Sequence, residues 1–197
     1  MSGEAEGAPE TLLTSAIAAG QRTLASLGDL APQVARAADL LVACLRDGNK
    51  ILACGNGGSA ADVADFTTEF ACRFVGDRRP YPALNLSAGS SILTATGNDY
   101  GFDEIFARQV RAFGKSGDTL VAISTSGNPA NIRRALEEAR SGRLKSIALL
   151  GRDGGKCAGL ADVDVIVRGE NTARIQEAHK FLLHVLCEMV EPTLARK

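Results

Sequence analysis

Lys50-Ile51-Leu52-Ala53-Cys54-Gly55-Asn56-Gly57-Gly58-Ser59 reads as a short apolar strand running straight into a glycine-rich turn, with a helical pattern following over 60–74. A strand that feeds a helix through such a turn is half of a parallel β–α–β unit. The alternation recurs downstream. Strands are expected at 83–86, 119–123, 146–150 and 163–167, each short, apolar and bounded by glycine or polar turns. Helices are expected between most of them, at 90–96, 102–113 and 128–141, and at the end over 172–194. Upstream, Leu12, Leu13, Ile17, Ala18 and Leu24 recur at helical spacing across 10–27, and a second helical stretch over 32–46 stops at Asp47-Gly48-Asn49. This order predicts one doubly wound α/β domain over 10–197, with two leading helices and a five-stranded parallel sheet covered by helices on both faces. Residues 1–9 read as a flexible tail.

The bulk composition narrows the function. The chain has 197 residues, enough to bury roughly two-thirds of its unfolded surface. Its net charge is −1, it lacks tryptophan, and aromatics are 5% of residues, so it offers neither the cationic field nor the stacking platform of a nucleic-acid binder. Five cysteines, scattered and without a C-x-x-C pair, point to a reducing compartment. The acidic, small-residue N-terminus lacks the layout of a secretory signal, and no apolar run approaches the ~18 residues needed to span a bilayer. A cytoplasmic protein without a membrane or nucleic-acid partner is expected.

In a doubly wound sheet, ligands bind where strands end and helices begin. Two such turns carry chemistry. Gly55-Asn56-Gly57-Gly58-Ser59 allows close backbone approach, and free amides at a helix start attract anions. Ala60 breaks the G-x-G-x-x-G spacing, and Gly114-Lys115-Ser116 precedes a strand, so neither nucleotide-binding motif is present. Ser124-Thr125-Ser126-Gly127-Asn128-Pro129 ends another strand, with Asn128 placed to cap the next helix and Pro129 suited to its first position. Alone it is a capped turn or a three-hydroxyl phosphate cradle; beside the glycine turn, phosphate is the better reading.

Four segments, 55–62, Thr94-Ala95-Thr96-Gly97-Asn98-Asp99-Tyr100-Gly101, 123–128 and Arg174-Ile175-Gln176-Glu177-Ala178-His179, resemble the phosphoheptose isomerases of the sugar isomerase (SIS) fold, in register over nearly the whole chain. The resemblance implies conversion of D-sedoheptulose 7-phosphate to D-glycero-D-manno-heptose 7-phosphate, the opening step of nucleotide-activated heptose synthesis. It also implies one Zn2+ per subunit and a homotetramer with sites at subunit contacts. By position it implies substrate contacts at Asn56, Gly57, Gly58, Ser59, Asn98, Asp99, Ser124, Thr125 and Ser126, with Glu69 and Gln176 touching both metal and substrate and His184 a metal ligand and acid. A non-catalytic adaptor and a sugar-phosphate sensor on the same fold are the alternatives.

Asp65 and Glu69 stand four apart and share a helix face. Such a pair is a solvated face or, beside a phosphate cradle, a metal site. The family pattern is His-x-x-x-Glu, so Asp65 is a departure: the expected ligand set Asp65, Glu69, Gln176 and His184 is harder and richer in oxygen, open to manganese or iron, or to loss of the metal. Pro129 departs too, where relatives carry a serine. On the last helix, Gln176 and His184 are about 12 Å apart along the axis and about 80° apart around it, while His179 is turned about 140° from His184. His184, among Phe181, Leu182, Leu183, Val185 and Leu186, is either a core histidine or a ligand. For aldose–ketose exchange Glu69 is expected to serve as base and His184 as acid.

Overall fold

The computed structural model describes residues 9–169 and 171–194. The expected tail, apart from Pro9, lies outside them.

Helices α1 (Pro9–Ala25) and α2 (Ala31–Arg46), joined by a 3-10 turn at Ser26–Leu30, lead into β1 (Ile51–Gly55) and α3 (Gly58–Ala71). There follow β2 (Ala83–Asn85), α4 (Ser90–Tyr100), α5 (Ala107–Phe113), β3 (Thr119–Ser124), α6 (Ala130–Ser141), β4 (Lys145–Gly151), β5 (Val163–Val167) and α7 (Thr172–Leu194). The five strands form one sheet in the order β2-β1-β3-β4-β5, every neighbouring pair parallel.

Side-chain alternation splits the interior in two. Ile51, Ala53, Val121, Ile123, Ile147 and Leu149 face one core, packed under α2, α3 and α7 through Leu41, Phe66 and Leu183. Leu52, Cys54, Leu120, Ala122, Ala148 and Leu150 face the other, under α5 and α6 through Val110, Ile132 and Leu136. Central strands buried on both faces are apolar along their middles, with Thr119, Ser124 and Ser146 near their ends, which is why they read as runs. The edge strand β5 instead alternates buried and half-buried residues.

Several boundaries differ from the sequence reading: the helix expected over 90–96 runs on to Tyr100, and the one expected over 60–74 spans Gly58–Ala71. The stretch expected as one helix over 102–113 is a 3-10 turn at Phe102–Glu104 followed by α5, entered through Gly101 at φ +91°. Asn128 does not cap α6. Pro129 takes that place with ψ 132°, outside the helical range, and Asn128 instead donates to the Ser126 carbonyl at 2.9 Å.

The far ends of α3 and α7 are clamped together. Arg78 donates to the carbonyls of Glu69, Phe70 and Cys72, the open C-terminal acceptors of α3, and pairs through Nε with Glu191 on α7 at 2.9 Å. Glu191 also accepts the amides of Phe74, Val75 and Gly76. Burial works to raise its pKa, but those amides and Arg78 pull it below the usual carboxylate range. A group that binds its proton less tightly when folded contributes fully above its unfolded pKa of roughly 4.3 and loses that contribution as pH falls through the folded value. Glu191→Gln is expected to lower stability at pH 7 by about 1–3 kcal/mol. Urea midpoints at pH 7 and pH 3.5 should also show a shallower acid loss in the variant than in the parent chain.

Candidate active site

β1 and β3 are hydrogen-bonded neighbours, with Gly55 level with Ile123. From β1 the chain crosses to β2 on one side; from β3 it crosses to β4 on the other. A crevice opens where the strand order reverses, and both turns singled out in the sequence lie on its rim.

The turns are joined directly. Asn56 and Asn131 exchange amide hydrogen bonds, Nδ2 to Oδ1 at 2.9 Å in each direction, and Asn131 is 1% exposed. Gly57 adopts φ +54°, ψ −122°, a conformation that side chains exclude. Gly58 opens α3 so close to Gln176 that a Cβ there would overlap the Gln176 amide. In the second turn the Ser124 hydroxyl accepts the Gly127 amide at 3.0 Å and the Ser126 hydroxyl accepts that of Asn128 at 3.3 Å. Each hydroxyl keeps its own proton to donate. The Gly127 carbonyl is held by the Cys157 amide at 2.9 Å. Ser59 is buried and Thr125 half-buried. The amides at the start of α3 and the hydroxyls of the neighbouring turn therefore form a rigid cradle for an anion, without any lysine.

Below it, α3 and α7 run side by side in the same direction, since each follows a strand that ends at this edge. Gly58, Asp62 and Asp65 of α3 meet Gln176, Lys180 and His184 of α7. The Lys180 ammonium pairs with Asp65 Oδ2 and lies 4.0 Å from Asp62 Oδ1. His184 Nε2 lies 3.3 Å from the same Asp65 oxygen. The Lys180 hydrogen bond holds Asp65 below the usual carboxylate range; burial opposes it, and His184 adds to it. Burial raises the pKa of Asp62, with Lys180 and Gln176 only partly offsetting it, and its Oδ2 has no hydrogen-bond partner among the described residues. Asp62, Gln176 and Lys180 line an open groove of about 460 Å³. Glu69, half-buried, follows Asp65 by one turn. Burial and then the Glu69 carboxylate push the Cys187 thiol up to about 12.

Of the four expected metal ligands, Asp65 and His184 meet, Gln176 sits beside Gly58, an ammonium is already on Asp65, and no three His, Cys, Asp or Glu side chains among the described residues cluster to hold an ion. Asn98 and Asp99 bond to each other at 2.8 Å, exposed at the end of α4, with no hydrogen bond to either turn among the described residues. Of the two histidines, the core residue is His179, fully buried and driven down to about 4 by burial, while the side chain of His184 is 41% exposed. Three residues escaped the sequence reading: Asp62, Lys180, and Ser87, whose hydroxyl accepts the Gly55 amide at 3.1 Å and donates to the Gly55 carbonyl at 2.9 Å. Lys180 lies four residues from both Gln176 and His184, a spacing visible in the sequence.

A model of the SIS domain matches residues 17–151. A phosphoheptose isomerase from Geobacter sp. (strain M21) is 49% identical over 170 residues, covering 86% of this chain and 88% of its own. One from Shewanella sp. (strain ANA-3) is 49% identical over 168 residues, covering 84% and 85%. Among solved structures, phosphoheptose isomerase GmhA from Neisseria gonorrhoeae superposes with a TM-score of 0.87 at 42% identity, over 94% of this chain and 100% of its own. The Francisella tularensis phosphoheptose isomerase gives 0.90 at 36% identity, over 94% and 99%.

Asn131→Ala leaves the Asn56 amide unpartnered and unpins the glycine turn. A stability loss of about 1–3 kcal/mol is expected from urea midpoints, together with weaker protection of the chain by added inorganic phosphate.

Proposed function

The chain belongs to the phosphoheptose isomerase family of SIS-domain proteins and is a sugar-phosphate isomerase, and from that premise we propose how its residues interconvert D-sedoheptulose 7-phosphate and D-glycero-D-manno-heptose 7-phosphate. The observation that supports this most is the adjacency of the two turns, which sets an anion cradle at the head of a helix pair bearing Glu69 and His184. The ester phosphate is held by the amides of Gly57, Gly58 and Ser59 and the hydroxyls of Ser124, Thr125 and Ser126, while Asn56 keeps the two turns together. Gln176, against Gly58, contacts the sugar hydroxyls.

Glu69 takes the proton from the carbon next to the carbonyl, and the C–H electron pair becomes the enediolate double bond. The same acid returns the proton to the neighbouring carbon. His184, hydrogen-bonded to Asp65, moves the proton between the two oxygens, and Asp65 orients the ring for it. The adaptor and sensor readings have no use for this acid and imidazole on adjoining helix faces.

Zinc, implied by the resemblance, is not matched by the donor set. A divalent cation at Asp65 would displace or oppose the Lys180 ammonium, and Gln176 is drawn to the opposite end of the acidic row.

Two further features belong to this reading. Leu12, Leu13, Ile17 and Leu24 are 43–68% exposed along α1. An apolar helix face of that kind supports a homo-oligomer, the tetramer of the resemblance, with Asn98 and Asp99 reaching a neighbour's cradle. Cysteines 44, 54, 72, 157 and 187 are all unbridged, and no described helix is long and apolar enough to cross a membrane; both agree with a cytoplasmic enzyme.

Glu69→Gln is expected to cut turnover of sedoheptulose 7-phosphate by about 10²–10⁴-fold with an unchanged circular dichroism spectrum. A fully active variant would overturn the assignment of the base. Leu13→Glu combined with Ile17→Glu should reduce the sedimentation coefficient to that of a monomer and lower turnover with it.

A further inference from the structure

We propose that Lys180 is the resident cation of this active site, its ammonium supplying, in place of a divalent metal ion, the fixed positive charge that faces the enediolate oxygen. This rests on the isomerase reading above.

Three carboxylates, Asp62, Asp65 and Glu69, occupy one face of α3 within two turns. A row of that charge needs a cation, and α7 delivers one. Residues 176, 180 and 184 follow one another at single-turn spacing, so Lys180 falls between the amide and the imidazole of the site. Its Nζ pairs with Asp65, and Asp62 Oδ1 at 4.0 Å is beyond hydrogen-bond length. An ammonium carries three N–H donors, and one bond to Asp65 leaves two for a ligand. Those donors open onto the groove of about 460 Å³ that Lys180 shares with Asp62 and Gln176. Asp62, which shares this groove, keeps its buried Oδ2 without a hydrogen-bond partner among the described residues.

The chemistry balances without another reactant. Glu69 removes a proton from C1 of the ketose; the C1–H pair forms the C1–C2 double bond, and the C2 carbonyl π pair moves onto O2, where the ammonium meets it. The proton returns to C2 and the O1 proton passes by way of His184 to O2, leaving an aldehyde at C1. No proton is taken from Lys180 in this sequence of steps, and its ion pair with Asp65 is kept.

The test uses the full chain and the variants Lys180→Ala, Lys180→Gln and Lys180→Arg, with two readouts. One is zinc retained after incubation with ZnCl₂ and desalting; the other is turnover of sedoheptulose 7-phosphate with and without EDTA. The wild-type chain should retain no stoichiometric zinc, and its turnover should be indifferent to chelator. Lys180→Ala should lose about 10²–10³-fold in turnover, the scale of one charge-stabilising donor, and should now retain zinc, because the acidic row is unopposed. Lys180→Arg keeps the charge and should exclude zinc and retain more turnover than Lys180→Ala. Lys180→Gln carries the same readouts should Lys180→Ala fail to fold by circular dichroism. Stoichiometric zinc on the wild-type chain, turnover that EDTA abolishes, or full activity of Lys180→Ala would overturn the proposal. A wild-type chain with no turnover sinks the isomerase reading alone. Zinc uptake then still decides whether Lys180 holds the place of a metal: equal uptake by wild type and Lys180→Ala refutes that, and uptake by the variant alone upholds that part, while the enediolate role falls with the isomerase reading.

Discussion

The parallel pairing of β1 with β3 is the constraint on which the molecule turns. Five consecutive residues of β1 lie level with five of β3, and all ten are buried. Parallel neighbours send their connections out at the same edge, and here those connections leave in opposite directions across the sheet. The Gly55–Ser59 turn and the Ser124–Pro129 turn are thereby forced together. The hydrogen bonds of Asn56 with Asn131, in the first turn of α6 just beyond the second of these turns, fix a separation that the strands have already imposed. Both turns also present the start of a helix, so unpaired amides converge on one place.

The same edge decides how α3 and α7 meet. Each leaves from the carboxyl end of a strand and travels back along the sheet, so they run parallel, and side chains one turn apart on one helix match side chains one turn apart on the other. Asp62 and Asp65 thus fall level with Lys180, and Asp65 also with His184. Arg78, bonded to the carbonyls that close α3 and to Glu191 near the end of α7, stops the pair from splaying at the far end. Rotation of either helix by one residue, about 100°, would turn its acids or its imidazole away from the other. The chemistry is therefore a property of the register between two helices, which neither helix specifies alone.

That is also the dividing line between what was legible beforehand and what was not. The central strands were legible because burial on both faces leaves no polar position along their middles to blur the run, and the two turns because glycine and clustered hydroxyls have few other uses at strand ends. The start of α6 was misread since Asn128 and Pro129 are individually good capping residues. The packing of Gly127 against the Gly154 carbonyl draws the turn into a different path. Asp62 and Lys180 were passed over because a 23-residue helix offers several polar stripes, and only contact with α3 shows which one faces the site. The expected meeting of Gln176 with Asp65 and His184 was argued from those residues alone, without the one that lies between them on α7. An angle of about 80° between Gln176 and His184 is spanned by Lys180, whose charge then claims Asp65.

A cradle made of amides and hydroxyls has a consequence for the rest of the site. Neutral donors grip a dianion without adding positive charge, so the ester phosphate and three nearby carboxylates leave the groove strongly negative unless a cation enters from elsewhere. Enediolate formation then adds another negative charge in the same space. Lys180 supplies a counter-charge through its ion pair with Asp65, and Arg174, the other Lys or Arg of α7, is engaged elsewhere, with the Ala16 carbonyl and Glu177. A site arranged this way favours the charged intermediate over the neutral sugar to the extent that the ammonium stays half-shielded from water. The exposure of Lys180, 35% in the single chain, is therefore the quantity that sets how far its charge is screened.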